Sequence, residues 1–386
     1  MLFHLETRIL LVSLVLHVPQ IYWAVRFWRW ASPSRKSLRL AGIAALLMLQ
    51  LPWFTLFFGR STVVLPIPDA WLGPYRIVCA VWGLGAFAAF VALVGYRAHN
   101  YLWRRASPTA FDPARRRVLE TTLGLVPWVM VAYGVTAARV RHRTERITVP
   151  ISDLPPDLEG LRIVHLTDIH VSEDMPPDLI EQIVEGASAL DADLGMLTGD
   201  YLAFDQWGLE ECVASLSRLK TRFGILGCLG NHEIHTEALE RITREFDRRG
   251  VDILRGEGRD FRFGAGRLRI VGVDYQRSTR APLWTVDKLM ASQVPNLLLS
   301  HNPNVFPHAA QLNFDLTLSG HTHGGQVSVE ILEKEISPSR FMSPYVQGLY
   351  RQGGSRLYVS RGIGTSGLPI RLGAPPEITL ITLTRA

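Results

Sequence analysis

The sequence predicts an α/β domain over residues 151–386 behind an all-α membrane region over residues 1–150. Three observations carry this reading. The first part holds four long apolar stretches, the second alternates short apolar runs with helical segments, and charge divides unequally between them. Up to residue 150 there are 18 Lys and Arg against five acids (Glu6, Asp69, Asp112, Glu120, Glu145), a balance of +13. The remainder has 23 against 30, or −7, so the net +6 of the whole 386-residue chain describes neither part. A basic nucleic-acid-binding surface is therefore not expected on the second part.

The apolar stretches run Ile9 to Val25, Ala41 to Phe58, Ile77 to Tyr96 and Val118 to Ala137. Each approaches the roughly 20 residues a helix needs to cross a hydrocarbon core, so about four transmembrane helices are expected. The first carries His17, Pro19 and Gln20, and the fourth Glu120 and Pro127, which weakens both. A cleaved signal peptide competes for the first stretch but would need a basic leader and a small-residue cleavage site. Trp28, Trp30, Phe57 and Tyr96 at the stretch ends suit an interfacial belt.

Cationic loops stay cytoplasmic. Arg26, Arg29, Arg35, Lys36 and Arg39 follow the first stretch, and Arg97, Arg104, Arg105, Arg115, Arg116 and Arg117 follow the third. The loop after the second has only Arg60 and Arg76. The expectation is a multi-pass protein of a bacterial plasma membrane, with its C-terminal domain outside the cytoplasm. Arg139, Arg141, Arg143 and Arg146, just after the fourth stretch, disagree. The run RRRVLE, Arg115 to Glu120, reads either as a twin-arginine export signal or as a plain cytoplasmic anchor; both point the same way.

From Ile151 onward, apolar runs fall at Leu161 to Leu166, Leu194 to Leu197, Gly224 to Leu229, Leu268 to Val273, Asn296 to Leu299, Leu316 to Leu318, Leu357 to Val359 and Ile378 to Leu383. Helical segments lie between the early ones: Pro177 to Leu190, opened by a proline pair, Leu209 to Leu219, and Thr236 to Arg249, closed by Gly250. About 235 residues supply one large domain. Cys79, Cys212 and Cys228 show no metal-site spacing and read as small buried side chains, and whether Cys212 and Cys228 pair stays open.

The chemistry lies at the ends of these runs. TDIH brings Asp168 and His170, TGD brings Asp200, and GNHE brings Asn231, His232 and Glu233; SHNP brings His301, and SGHTHGG brings His321 and His323. The C-terminal ends of strands are where an open α/β sheet gathers distant residues into one crevice. Alone, a D-x-H or a GD reads as a turn, and a GNH as a loop. Five loops presenting Asp, Asn and His together are hard to assign to chance. His165, within a strand, and His235 and His308, on exposed segments, keep the plain reading. Mixed imidazole, carboxylate and amide donors suit Mn, Fe or Zn better than an all-oxygen Ca or Mg cage. A carboxylate bridging two such ions would allow them to clamp the attacking and leaving oxygens of a phosphoryl transfer. Glycines at 230, 320, 324 and 325 permit tight turns and close approach of phosphate.

In this order, DIH, GD, GNHE, H and GHTH resemble the calcineurin-like metallophosphoesterase superfamily over nearly all of residues 155–386. The closing stretch YVSRGIGTSGLPIRLGAPPEITLITL resembles its membrane-tethered branch. The resemblance implies a four-layer sandwich, two mixed β-sheets face to face with helices outside, and two divalent metal ions. It assigns Asp168, His170, Asp200 and His323 to one ion and Asp200, Asn231, His301 and His321 to the other, with Asp200 the bridge. His232 would act on the leaving group. The expected function is hydrolysis of a phosphodiester or pyrophosphate by metal-bound hydroxide, on a phosphate-containing, lipid-linked or envelope substrate at the bilayer. Two alternatives stand: a UDP-2,3-diacylglucosamine-type lipid pyrophosphatase, which needs a cytoplasmic domain, and a non-catalytic membrane receptor or scaffold with a relict metal site. Substrate-binding residues are unknown at this level. Phe341, Tyr345, Tyr350 and Arg361, within Arg340 to Arg371, could line a substrate groove or belong to the core.

Overall fold

The computed structural model describes residues 17–29, 36–49, 69–106, 112–140, 142–276, 286–331, 334–367 and 369–386. The chain divides into two compact units, Met1–Thr136 and Ala137–Ala386.

In the first unit a helix covers residues 17–29, followed by α1 (Lys36–Met48), α2 (Asp69–Ala106) and α3 (Pro113–Val140). Among the described residues two helices, not four, are long and apolar enough to cross a membrane: Ile77–Trp103, of 27 residues, and Pro113–Ala138, of 26. Of the expected second span, the described residues up to Met48 lie in α1, whose 13 residues rise about 20 Å. Residues 9–16 of the expected first span, and 50–58 of the second, lie outside the described residues. Glu120, which weakened the fourth expected span, is met by Arg97 at 3.3 Å and Arg116 at 3.1 Å. Several tryptophans pack between helices as well as at their ends. Trp23 Nε1 donates to the Ala86 carbonyl, Trp82 Nε1 to Gln20 Oε1, and the Trp82 and Trp128 rings lie 5.0 Å apart.

The second unit is built on two six-stranded sheets. The first comprises β1 (Arg143–Ile151), β2 (Arg162–Leu166), β3 (Leu194–Thr198), β4 (Ile225–Cys228), β5 (Asp252–Ile253) and β14 (Glu377–Arg385), in the order β1-β14-β2-β3-β4-β5. The second comprises β6 (Glu257–Phe263), β7 (Gly266–Gly272), β8 (Asn296–Leu299), β9 (Leu316–Ser319), β12 (Gly348–Gln352) and β13 (Ser355–Val359), in the order β12-β13-β9-β8-β7-β6. A hairpin of β10 (Val329–Ile331) and β11 (Lys334–Ile336) stands apart. All eight expected strands are present.

Strand periodicity sorts the side chains into layers. Ile163, Leu194, Met196 and Leu226 from the first sheet meet Leu268, Ile270, Leu297, Leu299, Leu316 and Leu318 from the second in one core. The alternate residues Val164, Leu166 and Leu197 face outward. There they meet Ile180, Ile183 and Val184 of α4 (Pro177–Ser188), Cys212, Val213 and Leu216 of α5 (Leu209–Leu216), and Ile242 and Phe246 of α7 (Leu239–Asp247). Behind the second sheet, Val271 and Leu298 pack on Val305, Phe314 and Ala309 of α8 (Phe306–Gln311). The result is the expected helix, sheet, sheet, helix sandwich. Strands β3, β8 and β9 are buried on both faces, so they read as continuous apolar runs.

Two expectations about the chain change. The helix expected from Thr236 begins earlier, as the short α6 (Asn231–His235), and resumes as α7, so Asn231 and His232 sit at a helix start instead of in a loop. Arg143 and Arg146, which argued against the predicted orientation, belong to β1, the edge strand of the α/β domain, paired in parallel with β14.

Candidate metal centre

Strands β2, β3 and β4 run parallel, as do β7, β8 and β9. Register fixes where each strand lets go. Leu166 pairs with Leu197, and two and three residues on stand Asp168 and Asp200; Leu299 pairs with Leu318, and two and three residues on stand His301 and His321. Side chains from both sheets therefore meet at one rim. Asp168, His170 and His323 form one group able to hold a metal ion, Asp200, His301 and His321 a second, and His170, Asp200 and His232 a third, with donor atoms within 4.8 Å of one another in each. His301 Nε2 is 3.1 Å from Asp200 Oδ2, His170 Nε2 is 3.6 Å from the same oxygen, and His323 Nε2 is 3.3 Å from Asp168 Oδ1. Asp200 is thus the carboxylate common to the second and third groups.

The loops hold these positions at a conformational cost. Asp168, His170, Asp200, His321 and His323 all have φ between 50° and 75°. Each such left-handed non-glycine residue costs on the order of 1–3 kcal/mol and persists only where its surroundings impose it. Here they do. The Asp168 and His170 N–H groups donate to the Gly199 and Asp200 carbonyls, His321 N–H donates to the Asp168 carboxylate at 3.0 Å, and His232 N–H donates to Asp200 Oδ1 at 2.9 Å. A Cβ at Gly320 would fall on the Asp168 carboxylate, and one at Gly230 on that of Asp200.

Three imidazoles are oriented by one backbone segment. His301 Nδ1 donates to the Thr198 carbonyl at 2.7 Å, His170 Nδ1 to Leu202 at 3.1 Å, and His232 Nδ1 to Ala203. The carbonyls flank Asp200 and leave each Nε2 facing it, the arrangement in which a second hydrogen bond aims a metal-binding histidine. His323 differs: its Nδ1 lies 3.2 Å from Arg371 Nη2, which only donates, so the neutral ring carries its hydrogen at Nε2, 3.0 Å from His170 Nε2.

Charge is arranged to match. Burial pushes His170 down to about 3; burial and then the neighbouring His301 push His321 down to about 4. Both are neutral near pH 7, with lone pairs to give. Burial opposes the cation on His301, but Asp200 and Asp168 outweigh it and lift the ring to about 9. Burial, partly offset by His301 and reinforced by Asp200, raises Asp168 to about 6, while for Asp200 the histidines, His301 foremost, overcome burial and hold it well below the usual carboxylate range. The donor set fits divalent ions on a further count. Asn231 Oδ1 is buried without a hydrogen-bond partner, a state that asks for a ligand.

Several contributors were not legible as such. Glu233, fully buried, accepts from the N–H groups of Gly230 and Asp200 at Oε2 and of Tyr201 and Leu202 at Oε1, at 2.8 to 3.2 Å. It ties the Asp200 loop to the start of α6. The pattern of an acid three residues into a helix, as in a capping box, could have marked it. Arg371 is buried and donates to the carbonyls of His323, Arg361, Gly362, Gly364 and Ala374. Tyr275, after β7, sets its ring 5.4 Å from that of His321. Of the residues that could have lined a groove, Tyr345 and Tyr350 pack on Phe306, Leu357 and Val359, and Arg361 pairs with Glu145 and with Glu377. Only Phe341 stands clear. His165 is buried in β2 against Thr198, and His235 is exposed. Cys79, Cys212 and Cys228 are buried free thiols.

A strained, histidine-rich rim between two mixed sheets, with three donor groups able to hold a metal ion, is the arrangement expected of a metallophosphoesterase. The chain belongs to the calcineurin-like metallophosphoesterase family, whose model, described as calcineurin-like phosphoesterase, matches residues 161–325. Members are hydrolases acting on phosphoric esters and use divalent metal ions. Among individual proteins, a Helicobacter pylori protein named as an uncharacterized metallophosphoesterase is 31% identical over 77% of this chain and 79% of its own length. The transmembrane protein with metallophosphoesterase domain of Danio rerio is 30% identical over 69% of this chain, and that of Bos taurus 28% over 82%. The matched region spans 63% of the Danio rerio protein and 72% of the Bos taurus one.

Proposed function

We propose that this protein is a membrane-anchored phosphoesterase that hydrolyses a phosphodiester or pyrophosphate at a dinuclear metal centre. The observation that carries the reading is the pair of donor groups at one rim, Asp168, His170 and His323 beside Asp200, His301 and His321, with Asp200 Oδ2 within 3.6 Å of both His170 and His301. Asn231, whose Oδ1 is buried without a partner, would be the further donor that the sequence motif assigns to the second group. Two divalent ions, when bound, supply an activated water and compensate charge on the phosphoryl oxygens. The chain supplies the rest. Asp200 would hold both ions near one substrate phosphate, and the bare backbone at Gly230 and Gly320 leaves room for the carboxylates. His232 is aimed by its bond to Ala203, with Nε2 4.0 Å from Asp200 Oδ2, and with both ring nitrogens protonated it would give the Nε2 proton to the departing oxygen.

Anchoring is supported by the two apolar helices and by relatives named as transmembrane proteins. A multi-pass protein with its catalytic domain outside the cytoplasm accords with the arginine-rich loops, while Arg143 and Arg146, in β1 but close behind Val140, still weigh against it. Confinement to the bilayer supports a lipid-linked or envelope substrate, because it raises the effective concentration of one. The test is direct: Asp200→Ala and His321→Ala should lose bound metal and hydrolysis of a generic aryl phosphodiester while the domain still melts cooperatively. Metal-loaded wild type inert toward mono-, di- and pyrophosphate substrates would favour the scaffold reading instead. A compartment-sensitive reporter after Ala386 that signals cytoplasm would reverse the orientation and favour the nucleotide-lipid alternative.

A further inference from the structure

Phe341 is 95% exposed and Met342 72%, at the end of a 3₁₀ turn (Pro338–Phe341), with Arg340 exposed beside them. The turn is strapped to the metal-site loops. Ser339 Oγ donates to the carbonyl of Thr322, between His321 and His323, at 3.0 Å. Asn304, three residues past His301, donates through Nδ2 to the Met342 carbonyl at 3.3 Å and accepts from Ser343 Oγ at 2.7 Å. On the loop after Asp200, Phe204 is also 67% exposed, its ring 6.1 Å from that of His232. A phenyl and a thioether are thus held side by side and outward by a turn fixed to the metal-site loops.

The rest of the chain selects the occupant. It carries two helices long and apolar enough to cross a membrane, and the second ends at Val140, three residues before β1 begins at Arg143. So short a connection keeps the α/β domain at a bilayer surface, at an effective concentration no freely diffusing partner matches. The basic residue agrees: an arginine beside aromatic and apolar side chains is the composition that seats at the level of lipid phosphates. We propose that Arg340, Phe341 and Met342 form a membrane-docking tip, Phe341 and Met342 entering the interfacial acyl region and Arg340 meeting lipid phosphates. The proposal rests on the membrane-anchored reading and adds which face of the catalytic domain meets the bilayer.

The test does not use catalysis. All three native cysteines are buried, so Met342→Cys in the full chain gives one reactive thiol for an environment-sensitive fluorophore. A matched label at Arg262→Cys, exposed on β6, is the reference. In phosphatidylcholine and phosphatidylglycerol vesicles containing shallow spin-labelled lipid, the label at 342 should be quenched about twofold or more beyond that at 262. Adding Phe341→Asp should bring it to the reference level. Equal quenching at both sites, quenching that survives Phe341→Asp, or label self-quenching between copies in place of lipid quenching would each overturn the proposal. An inactive wild type with intact quenching would count against the phosphoesterase reading alone.

Discussion

Replacing Glu233 by Gln tests whether the metal rim is organised by a carboxylate that touches no substrate. The side chain is fully buried and each of its oxygens accepts two backbone N–H groups. A glutamine fits the space but offers one oxygen, so in either orientation two N–H donors face an amide NH2. Hydrogen bonds to a charged acceptor are worth about 1.5–3 kcal/mol, so losing two costs about 3 kcal/mol or more. For a domain of this size that lowers the melting temperature by about 6–12 °C. In one orientation the orphaned donors are those of Gly230 and Asp200, in the other those of Tyr201 and Leu202. Both loosen the Asp200 loop, and metal affinity should fall about 10- to 100-fold, as for other groups that orient ligands. The assay is calorimetry of the purified full chain, with metal content measured at limiting metal. Glu181→Gln, which removes an exposed partner of Arg218, should shift melting by less than about 1 °C and serves as control. A Glu233→Gln protein that melts like wild type and fills with metal at the same concentration would refute the reasoning.

Two further outcomes are expected of the site. His232→Ala should keep its full complement of metal yet slow hydrolysis of esters with poor leaving groups by about 10²–10⁴, with a smaller loss for an activated aryl ester; a drop in metal content would instead make His232 a ligand, as its place beside His170 and Asp200 would allow. Metal affinity should rise with pH. Asp200 and Asp168 hold His301 protonated up to about 9, and the proton must leave before Nε2 can ligate, so affinity should climb up to about tenfold per pH unit between pH 7 and 9. Below about 6 the Asp168 proton adds to the competition and steepens the fall. Calorimetric titrations in buffers of different ionisation enthalpy would detect about one proton released per chain at neutral pH, and a flat pH profile would contradict the charge assignment.

The sequence alone determined the α/β core and the chemistry of the rim, because both rest on local rules. Strands buried on two faces announce themselves as unbroken apolar runs, and a short run followed at once by Asp or His places that residue at a strand end whatever the strand pairs with. What it could not determine depends on partners distant in the chain. Nothing near Arg143 shows that β1 will pair with β14, more than 200 residues away, so its arginines read as a membrane flank. Glu233 looked like part of a loop motif until the fold brought the N–H groups of residues 200–202 to its carboxylate. Arg371 had no marker in a Gly- and Pro-rich stretch; its task exists only where five carbonyls and His323 converge. Hydropathy likewise measures composition and not helix length: two of the four apolar stretches form helices of membrane-crossing length among the described residues, and parts of the other two lie outside them. Residue type and spacing name the donors, but which donors share an ion, and which atom of each histidine faces it, is decided by backbone carbonyls that only the packed sheets bring into place.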